Sequence, residues 1–295
     1  MHRPTRRRRA RPDTFRAVAA ALALLGVLAL AACSGDVETT PAGADADPIH
    51  AHGLGLNPAD GALYIATHTG LFRMERGSDD AARVGDRRQD TMGFTIAAAD
   101  HFLGSGHPDL REGLPPLLGL IGSRDRGRSW EPISLLGEAD FHALRATGTF
   151  IHGYDASGGR LMISEDGGRT WRVRRPPPLL DLVVDPDDPS RIVAASERGL
   201  IVSEDDGRGW RPLDGPPGLL AWPRRDALYA LSLDGELRVS RDGGASWARA
   251  GRVGGRPEAM TVPAADRLIV ALEHGALRSS ADGGRSWADG AWAGS

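Results

Sequence analysis

The stretch Ser164-Glu-Asp-Gly-Gly-Arg-Thr-Trp171 is one of five copies of a short pattern: Ser, any residue, Asp, any residue, Gly, two further residues and Trp. The other copies begin at Ser123, Ser203, Ser240 and Ser280, so successive copies start 41, 39, 37 and 40 residues apart. Ser and Asp side chains hydrogen-bond the backbone of a tight turn, Gly accepts positive φ, and Trp supplies a large apolar ring. A period near 40 residues with short apolar runs around each copy predicts four strands per repeat, as in a propeller blade.

The segment before the first copy has the same rhythm of strand, turn, strand, glycine turn and strand, at His52–Leu56, Leu63–Thr67 and Gly70–Arg73, but its own copy of the pattern has decayed. The sequence therefore predicts an all-β, six-bladed β-propeller over residues 49–295, with five or seven blades as the alternatives. The expected blade limits are 49–88, 89–136, 137–178, 179–215, 216–254 and 255–295.

Residues 1–32 predict an export signal that is not part of the fold. Seven arginines precede an apolar run, Ala17 to Leu30, that is too short to be a comfortable membrane-spanning helix. Leu30-Ala-Ala-Cys33 resembles the lipobox of bacterial lipoproteins, and Cys33 is the single cysteine of the chain, so it has no disulfide partner within it. We expect a lipid on Cys33, a flexible tether over residues 33–48 and an extracytoplasmic, membrane-anchored location; an ordinary secretory signal containing a cysteine is the alternative.

The charge of the remaining chain excludes some partners and chemistries. Residues 33–295 carry 29 basic and 38 acidic side chains, a net charge of −9. Nucleic acid is therefore not an expected partner, because binding a phosphate backbone needs a concentrated positive surface. Every basic residue is Arg, which excludes lysine Schiff-base chemistry.

The innermost strand of each blade lines the channel of a propeller, and the residues at its entrance differ between the two halves of the chain. Blades one to three carry ligand-like residues there, and blades four to six carry bland ones. The first set is His50, His52, Asp90, Met92, Asp140 and His142, and the second is Leu180, Pro217 and Pro257.

The predicted corners between the second and third strands open on the same face and also carry polar residues. They are His68, His107, Tyr154, Asp155, Glu197, Asp234, Glu273 and His274. An insertion at the corner of blade two, Gly106–Pro116, is expected to act as a lid. His152 is expected to be structural, because it should lie within a strand.

These two sets predict a binding site at one mouth of the channel. Neutral imidazole is the commonest metal ligand, and His with Met suits copper in particular. We therefore predict a divalent metal or copper as a possible cofactor, with candidate ligands His52, His68, Met92, His107 and His142. With His50 and Asp155 the same face could instead bind a polar or anionic ligand, and each residue alone could have a packing role.

Five segments resemble a family of bacterial envelope propellers described as glycosyl hydrolase-like or exo-α-sialidase-like BNR proteins, and the repeated pattern resembles their Asp box. The segments are His50–Leu56, Ala66–Leu71, Asp90–Phe94, Gly104–Pro108 and Asp140–Leu144. In such families the Asp boxes lie between the third and fourth strands, away from the ligand face, so the resemblance implies that all five are structural.

The resemblance also implies hydrolysis of a terminal sugar. Candidate catalytic residues are Asp90 and Asp140 as a carboxylate pair, and Tyr154 as a nucleophile beside Glu197 or Asp155. The arginine triad of sialidases is not matched, since the nearest string, Leu71–Met74, falls on the third strand of blade one. Three hypotheses follow: a lipoprotein that binds a metal, polar ligand or partner protein; a sialidase-like glycoside hydrolase acting on a glycan; and a non-catalytic assembly factor or scaffold.

Overall fold

The computed structural model of the protein describes residues 50–264 and 266–292, all within one compact unit, Asp45–Ser295. The predicted export signal, lipid attachment site and tether lie outside the described residues and stay predictions. No helix in the described part of the chain is long and apolar enough to cross a membrane.

The described residues form six four-stranded antiparallel sheets, each built from one continuous stretch of chain, with strands hydrogen-bonded in sequence order. A single 3₁₀ turn, Glu273–Gly275, is the one helical element among them. The strands are β1 (Ala51–Leu56), β2 (Leu63–Thr67), β3 (Gly70–Met74), β4 (Ala81–Arg83), β5 (Asp90–Ala98), β6 (His101–His107), β7 (Leu120–Ser123), β8 (Glu131–Ser134), β9 (Phe141–Thr147), β10 (Phe150–Asp155), β11 (Arg160–Ser164), β12 (Arg172–Arg174), β13 (Leu179–Val184), β14 (Ile192–Ser196), β15 (Gly199–Ser203), β16 (Arg211–Leu213), β17 (Gly218–Arg224), β18 (Ala227–Ser232), β19 (Glu236–Ser240), β20 (Ala248–Arg252), β21 (Pro257–Ala264), β22 (Arg267–Leu272), β23 (Leu277–Ser280) and β24 (Ala288–Asp289).

The first strands of the six blades pack side by side in a ring. Each of them contacts the first strand of the next blade, and β21 of blade six returns to β1 of blade one. The prediction of a six-bladed propeller is confirmed.

The hydrophobic core is divided into six wedges, one between each pair of neighbouring blades. Between blades one and two, for example, Tyr64 and Leu71 pack against Phe102 and Ile121. Burying a side chain of this size contributes about 1.5–3 kcal/mol, so the apolar seams between sheets stabilise the ring.

The Asp boxes lie between the third and fourth strands of blades two to six, as the sequence predicts. In the box of blade three, the Ser164 hydroxyl donates to Asp166 Oδ1 at 2.8 Å and accepts from the Gly168 amide at 2.8 Å. Asp166 also accepts from the amide and the hydroxyl of Thr170 at 2.9 and 2.7 Å. The Ser–Asp and Gly–Ser bonds recur in all five boxes, so these carboxylates are occupied in holding turns.

The tryptophan of each box packs in the seam between its own blade and the preceding one. Blade one has no such tryptophan, and Trp292, which follows the last strand, occupies the seam between blades six and one. Its indole N–H donates to the carbonyl of Ser78 at 3.0 Å. Side chains, and not a shared sheet, therefore close the described ring.

Candidate functional site

Five of the six channel-lining strands contain one extra residue close to the mouth. Their pairing with the second strand shifts by one position, and the unpaired residues are His52, Met92, His142, Leu180 and Glu258. A β-bulge bends its strand and re-aims the side chain of the extra residue. All five side chains line one cavity of about 330 Å³ at the mouth.

Glycine follows the bulge in the channel strands of blades one and two. A Cβ atom on Gly93 would clash with the carbonyl oxygen of Phe141 in the neighbouring blade, and one on Gly53 would lie 2.9 Å from Cβ of Phe94. The glycines of the His52-Gly and Met92-Gly pairs therefore let adjacent inner strands bring their bulged residues together.

Blades one and two place two imidazoles and one carboxylate in mutual contact. Nε2 of His52 lies 3.1 Å from Nδ1 of His68 and 3.5 Å from Oδ1 of Asp90, and the distance from Nδ1 of His68 to the same oxygen is 3.0 Å. This Asp90 oxygen is buried, and despite its ion-pair distance it receives no hydrogen bond of good geometry from the described residues. Three potential ligand atoms thus form a nearly regular triangle.

His50 completes the cluster from the start of β1. Its ring stacks on His68 at 4.9 Å and meets His52 edge to face at 4.8 Å between centroids. One ligand atom from each of the three histidines lies within 4.8 Å of the others. We call His50, His52, His68 and Asp90 the blade-one cluster.

Glu258 of blade six holds His50 from behind. Its Oε1 lies 2.6 Å from Nδ1 of His50, and its Oε2 accepts from the amide of Ala51 at 3.0 Å. In a neutral ring, Nδ1 then donates to the carboxylate and Nε2 keeps its lone pair, which is the arrangement of carboxylate, histidine and metal found in many metal sites.

The surroundings of His52 keep its ring neutral. Burial, followed by repulsion from His68, lowers the pKa of His52 to about 4. At pH 7 the ring therefore has a lone pair available for a ligand.

A second group, the blade-three cluster, consists of His107, Asp140 and His142. Nε2 of His142 lies 2.9 Å from Oδ2 of Asp140, and Nε2 of His107 lies 3.6 Å from the same oxygen. The hydrogen bond to Asp140 raises the pKa of His142. Oδ1 of Asp140 is buried and has no hydrogen-bond partner among the described residues.

The structure thus collects eight of the eleven candidate ligand and catalytic residues around one mouth, in two clusters with Met92 in the same cavity as His50, His52 and His142. The other three candidates lie elsewhere. Tyr154 is buried in the apolar seam between blades three and four. Asp155 is fully buried and occupied by the amide of Asp140, the Ser157 hydroxyl and Arg160. Glu197 lines a separate pocket with Pro177 and Pro178.

These positions correct part of the sequence analysis. Tyr154 and Asp155 end β10, and the corner position suggested that both face the mouth, whereas one packs in the core and the other supports the backbone of Asp140. A nucleophile at Tyr154 paired with Asp155 has no support, since the tyrosine ring is buried among aliphatic side chains.

The expectation that blades four to six are bland at the mouth is also wrong. We expected Pro257 at the entrance of blade six, where the bulged residue is Glu258, and we did not predict Asp181 beside Leu180. Asp181 is buried, burial raises its pKa, and it pairs with Arg145 at 2.6 Å. The sequence did contain a signal: an acidic residue, Asp181 or Glu258, directly follows Leu180 and Pro257. The bulge in each strand decides which of the two neighbouring residues faces the mouth.

Hydrogen bonds and ion pairs hold the insertion of blade two in place. Asp109 accepts from the amide of Arg88 and pairs with Arg111, and Glu112 pairs with Arg87. Leu118 is buried in the seam between blades one and two, while Leu110 is 98% exposed. The loop therefore packs against the blade-one linker, and a mobile lid gains no support from these contacts.

His152 lies within β10, as expected, 2% exposed, with Nε2 3.2 Å from the carbonyl oxygen of Pro189. Burial lowers its pKa to about 4. Arg73 likewise lies on β3, away from the mouth, paired with Asp60 and Glu75.

Comparison with known proteins identifies the fold. No protein-family model matches the chain, and no curated protein matches its sequence. Among solved structures, the chain is similar to YCF48 from Cyanidioschyzon merolae, with 14% identity, a TM-score of 0.51 and coverage of 83% of this chain and 85% of that one. It is similar to the WD40 beta propeller domain of Doa1, with 10% identity, a TM-score of 0.57 and coverage of 82% of each chain.

The chain is also similar to the GH74 xyloglucanase from Xanthomonas campestris, with 21% identity and a TM-score of 0.53. That match covers 81% of this chain but 45% of the xyloglucanase, so this chain spans less than half of that enzyme's length. Identities this low show the propeller fold alone, and the resemblance to sialidase-like BNR proteins stays a prediction.

Proposed function

We propose that this propeller binds a divalent transition-metal ion, zinc or copper, in the blade-one cluster, as part of an exported protein anchored to the membrane through a lipid on Cys33. The observation that carries the proposal is the triangle of His52 Nε2, His68 Nδ1 and Asp90 Oδ1, with edges of 3.1, 3.5 and 3.0 Å.

The size of this triangle fits a metal ion. Ligands about 2.0–2.1 Å from a tetrahedral zinc are separated by about 3.3 Å, which is close to all three edges. His50, whose ligand atom lies within 4.8 Å of those of His52 and His68, is positioned to supply a fourth ligand after a small movement. Three imidazoles and one carboxylate are a donor set that zinc and copper both accept.

The site is prepared before a metal arrives. His52 is neutral at pH 7 because burial lowers its pKa to about 4, so little proton competition arises there. Glu258 orients His50, which directly precedes β1, and β1 carries His52 two residues later. The buried Asp90 oxygen that lacks a hydrogen bond would gain a strong partner in the metal.

The shape of the mouth supports binding with access for a further ligand. The cavity has walls of different chemistry: histidines on blade one, and Leu180, Leu219 and Leu233 on blades four and five. Leu180 and Leu233 are nearly half exposed. A metal held on the histidine side would therefore face open space and an apolar wall, where a small molecule or a partner side chain can complete its coordination.

The test is titration of the full chain, purified with a tag that contains no histidine, with ZnCl₂ and separately with CuSO₄ by isothermal titration calorimetry. We expect the unchanged chain to bind tightly. Changing His68 to Asn should weaken metal affinity by more than roughly 10–100-fold, which is the usual cost of losing a group that only supports a metal ligand. His68 is half exposed on its side chain, so the His68→Asn variant should fold.

His274→Asn is the matched control, because His274 lies at the corresponding corner of blade six, is exposed and has a φ of 69°, which Asn tolerates. It should bind both metals as the unchanged protein does. The proposal would be overturned if the unchanged chain bound neither metal. It would also be overturned if the His68→Asn and His52→Asn variants bound metal as tightly as the unchanged chain.

A further inference from the structure

We infer that the mouth holds a second divalent-metal site, built from His107, Asp140 and His142 and separate from the blade-one cluster. This inference goes beyond the proposed function and does not depend on it, because the two sets of ligands share no residue.

The three side chains converge on one oxygen from two neighbouring blades. His107 is the last residue of β6, Asp140 directly precedes β9, and His142 is the bulged residue of β9. Nε2 of His142 and Nε2 of His107 lie 2.9 and 3.6 Å from Asp140 Oδ2. These separations bracket the spacing of about 3.3 Å expected between ligands of a tetrahedral zinc ion.

The hydrogen bonds of His107 direct its lone pair toward the carboxylate. Its Nδ1 lies 2.9 Å from the carbonyl oxygen of Pro116, and a carbonyl can only accept, so Nδ1 carries the proton. In the neutral ring, Nε2 is then unprotonated and faces Asp140 with no hydrogen to share. A lone pair opposite a carboxylate oxygen is unfavourable unless a cation or a proton lies between them, and a backbone carbonyl behind the ring is a common support for a histidine ligand.

Asp140 is held rigidly and has binding capacity left. Its side chain is 7% exposed, its amide donates to Asp155 Oδ1 at 3.0 Å, and its carbonyl accepts from the amide of Ala156 at 2.9 Å. Asp155 is in turn fixed by Arg160 at 2.6 Å. The buried Oδ1 of Asp140 has no hydrogen-bond partner among the described residues, which is costly for a carboxylate that no cation compensates.

The hydrogen bond between His142 and Asp140 shows which contact a metal ion would replace. A proton on His142 Nε2 lies between the ring and Oδ2, and a metal ion entering the site would displace this proton to solvent and leave the neutral ring with its proton on Nδ1. The carboxylate and the two imidazoles would then become its ligands, and the remaining positions would face the cavity that His142 lines.

The test counts metal ions. The full chain, carrying a tag without histidine, is equilibrated with excess ZnCl₂, freed of unbound zinc on a desalting column and assayed for zinc per chain by elemental analysis. We expect two ions in the unchanged protein and one in the His107→Asn, Asp140→Asn and His68→Asn variants. His274→Asn should retain two, and a His68→Asn/His107→Asn double variant should retain none.

Each outcome separates the two sites. One ion that survives His107→Asn and is lost in His68→Asn overturns the second site and leaves the first standing. One ion lost in His107→Asn but kept in His68→Asn supports the second site and overturns the proposal for the first, and no bound zinc overturns both. Circular dichroism of each variant confirms folding, and substitutions at His107 and His68, whose side chains are 44% and 50% exposed, should disturb it less than substitution of the buried Asp140.

Discussion

The two faces of the ring use aspartate in opposite ways. On the Asp-box face, Asp166 accepts hydrogen bonds from two hydroxyls and from backbone amides. The aspartates of the other four boxes also accept from a backbone amide of their own turn. At the mouth, the Oδ1 atoms of Asp90 and Asp140 are buried and receive no hydrogen bond from the described residues. A saturated carboxylate holds a turn, whereas a buried and unsaturated one is available to a ligand.

The pKa values of the box aspartates agree with this contrast. Hydrogen bonds from the Ser246 hydroxyl and amide lower the pKa of Asp242 to about 2, and those from Ser286 do the same for Asp282. The aspartates that recur most regularly in the sequence are therefore the ones with the least capacity left to bind. The candidate site lies where the repeat is broken.

Among the substitutions that test this comparison, Asp90→Asn should have the largest effect, because it changes one of the two unsaturated carboxylates. Replacing the carboxylate by an amide removes one ligand and the negative charge, so we expect zinc affinity in the blade-one cluster to fall about 100-fold, or about 2.7 kcal/mol. Folding stability should not fall, because no hydrogen bond to Oδ1 is lost. Calorimetric titration and urea unfolding measure the two effects, and a destabilised variant with unchanged affinity would reverse our assignment.

A second prediction extends the comparison to histidine, since His152 is buried away from the mouth. Its folded pKa is lowered to about 4, below the value near 6.5 of the unfolded chain. The unfolded chain therefore takes up the proton first, and stability should fall as pH drops from about 6.5 to about 4 and then level off. Between pH 7 and 4.5 the unchanged protein should lose about 2 kcal/mol more than His152→Gln.

Urea unfolding of both proteins at several pH values in this range measures that difference. Gln keeps a donor for the carbonyl of Pro189, and His52 titrates in both proteins, so the subtraction isolates His152. Parallel pH profiles would show that His152 does not contribute.

Ser164→Ala tests the saturated side. It removes the acceptor of the buried Gly168 amide and the donor to Asp166, so we expect a loss of about 1–2 kcal/mol in the free energy of unfolding. Zinc binding should not change. Weaker zinc binding at equal folding would mean that the Asp-box face is coupled to the mouth.

The smallest expected effect is a gain. Four boxes have Ser or Thr one position before the tryptophan, with its hydroxyl donating to the box aspartate at 2.5–2.7 Å, but the box of blade four has Gly209. Gly209→Ser should restore this bond to Asp205 and restrict the unfolded chain, raising stability by about 0.5–1 kcal/mol. The midpoint of urea unfolding measures this gain in stability. A lowered midpoint would contradict the idea that the same hydrogen bond can form in all five boxes.

The repeat made the fold predictable from sequence. The residue types at Ser164, Asp166, Gly168 and Trp171 predict one turn. The recurrence of that turn at a period near 40 residues predicts the blades of the ring. The polar residues and Met92 at the entrances of blades one to three were predictable because the strand rhythm places them at equivalent positions in these blades. The grouping into two clusters was not predictable, because it depends on side-chain directions that bulges set.

The misses have the same origin. Glu258 was not predicted because the sequence does not reveal the extra residue in β21, and a single bulge exchanges the residues that face the channel. Asp155 was misplaced because a corner position says nothing about whether a carboxylate turns outward or under the neighbouring backbone. Trp292 was not predicted as the closing side chain because it lies outside any box.

Residues at the mouth also take part in closing the ring. Blades six and one are joined by side chains, among them Trp292, and the Glu258–His50 pair crosses the same seam. A ligand that ordered His50 would therefore also strengthen the contact between the first and last blades.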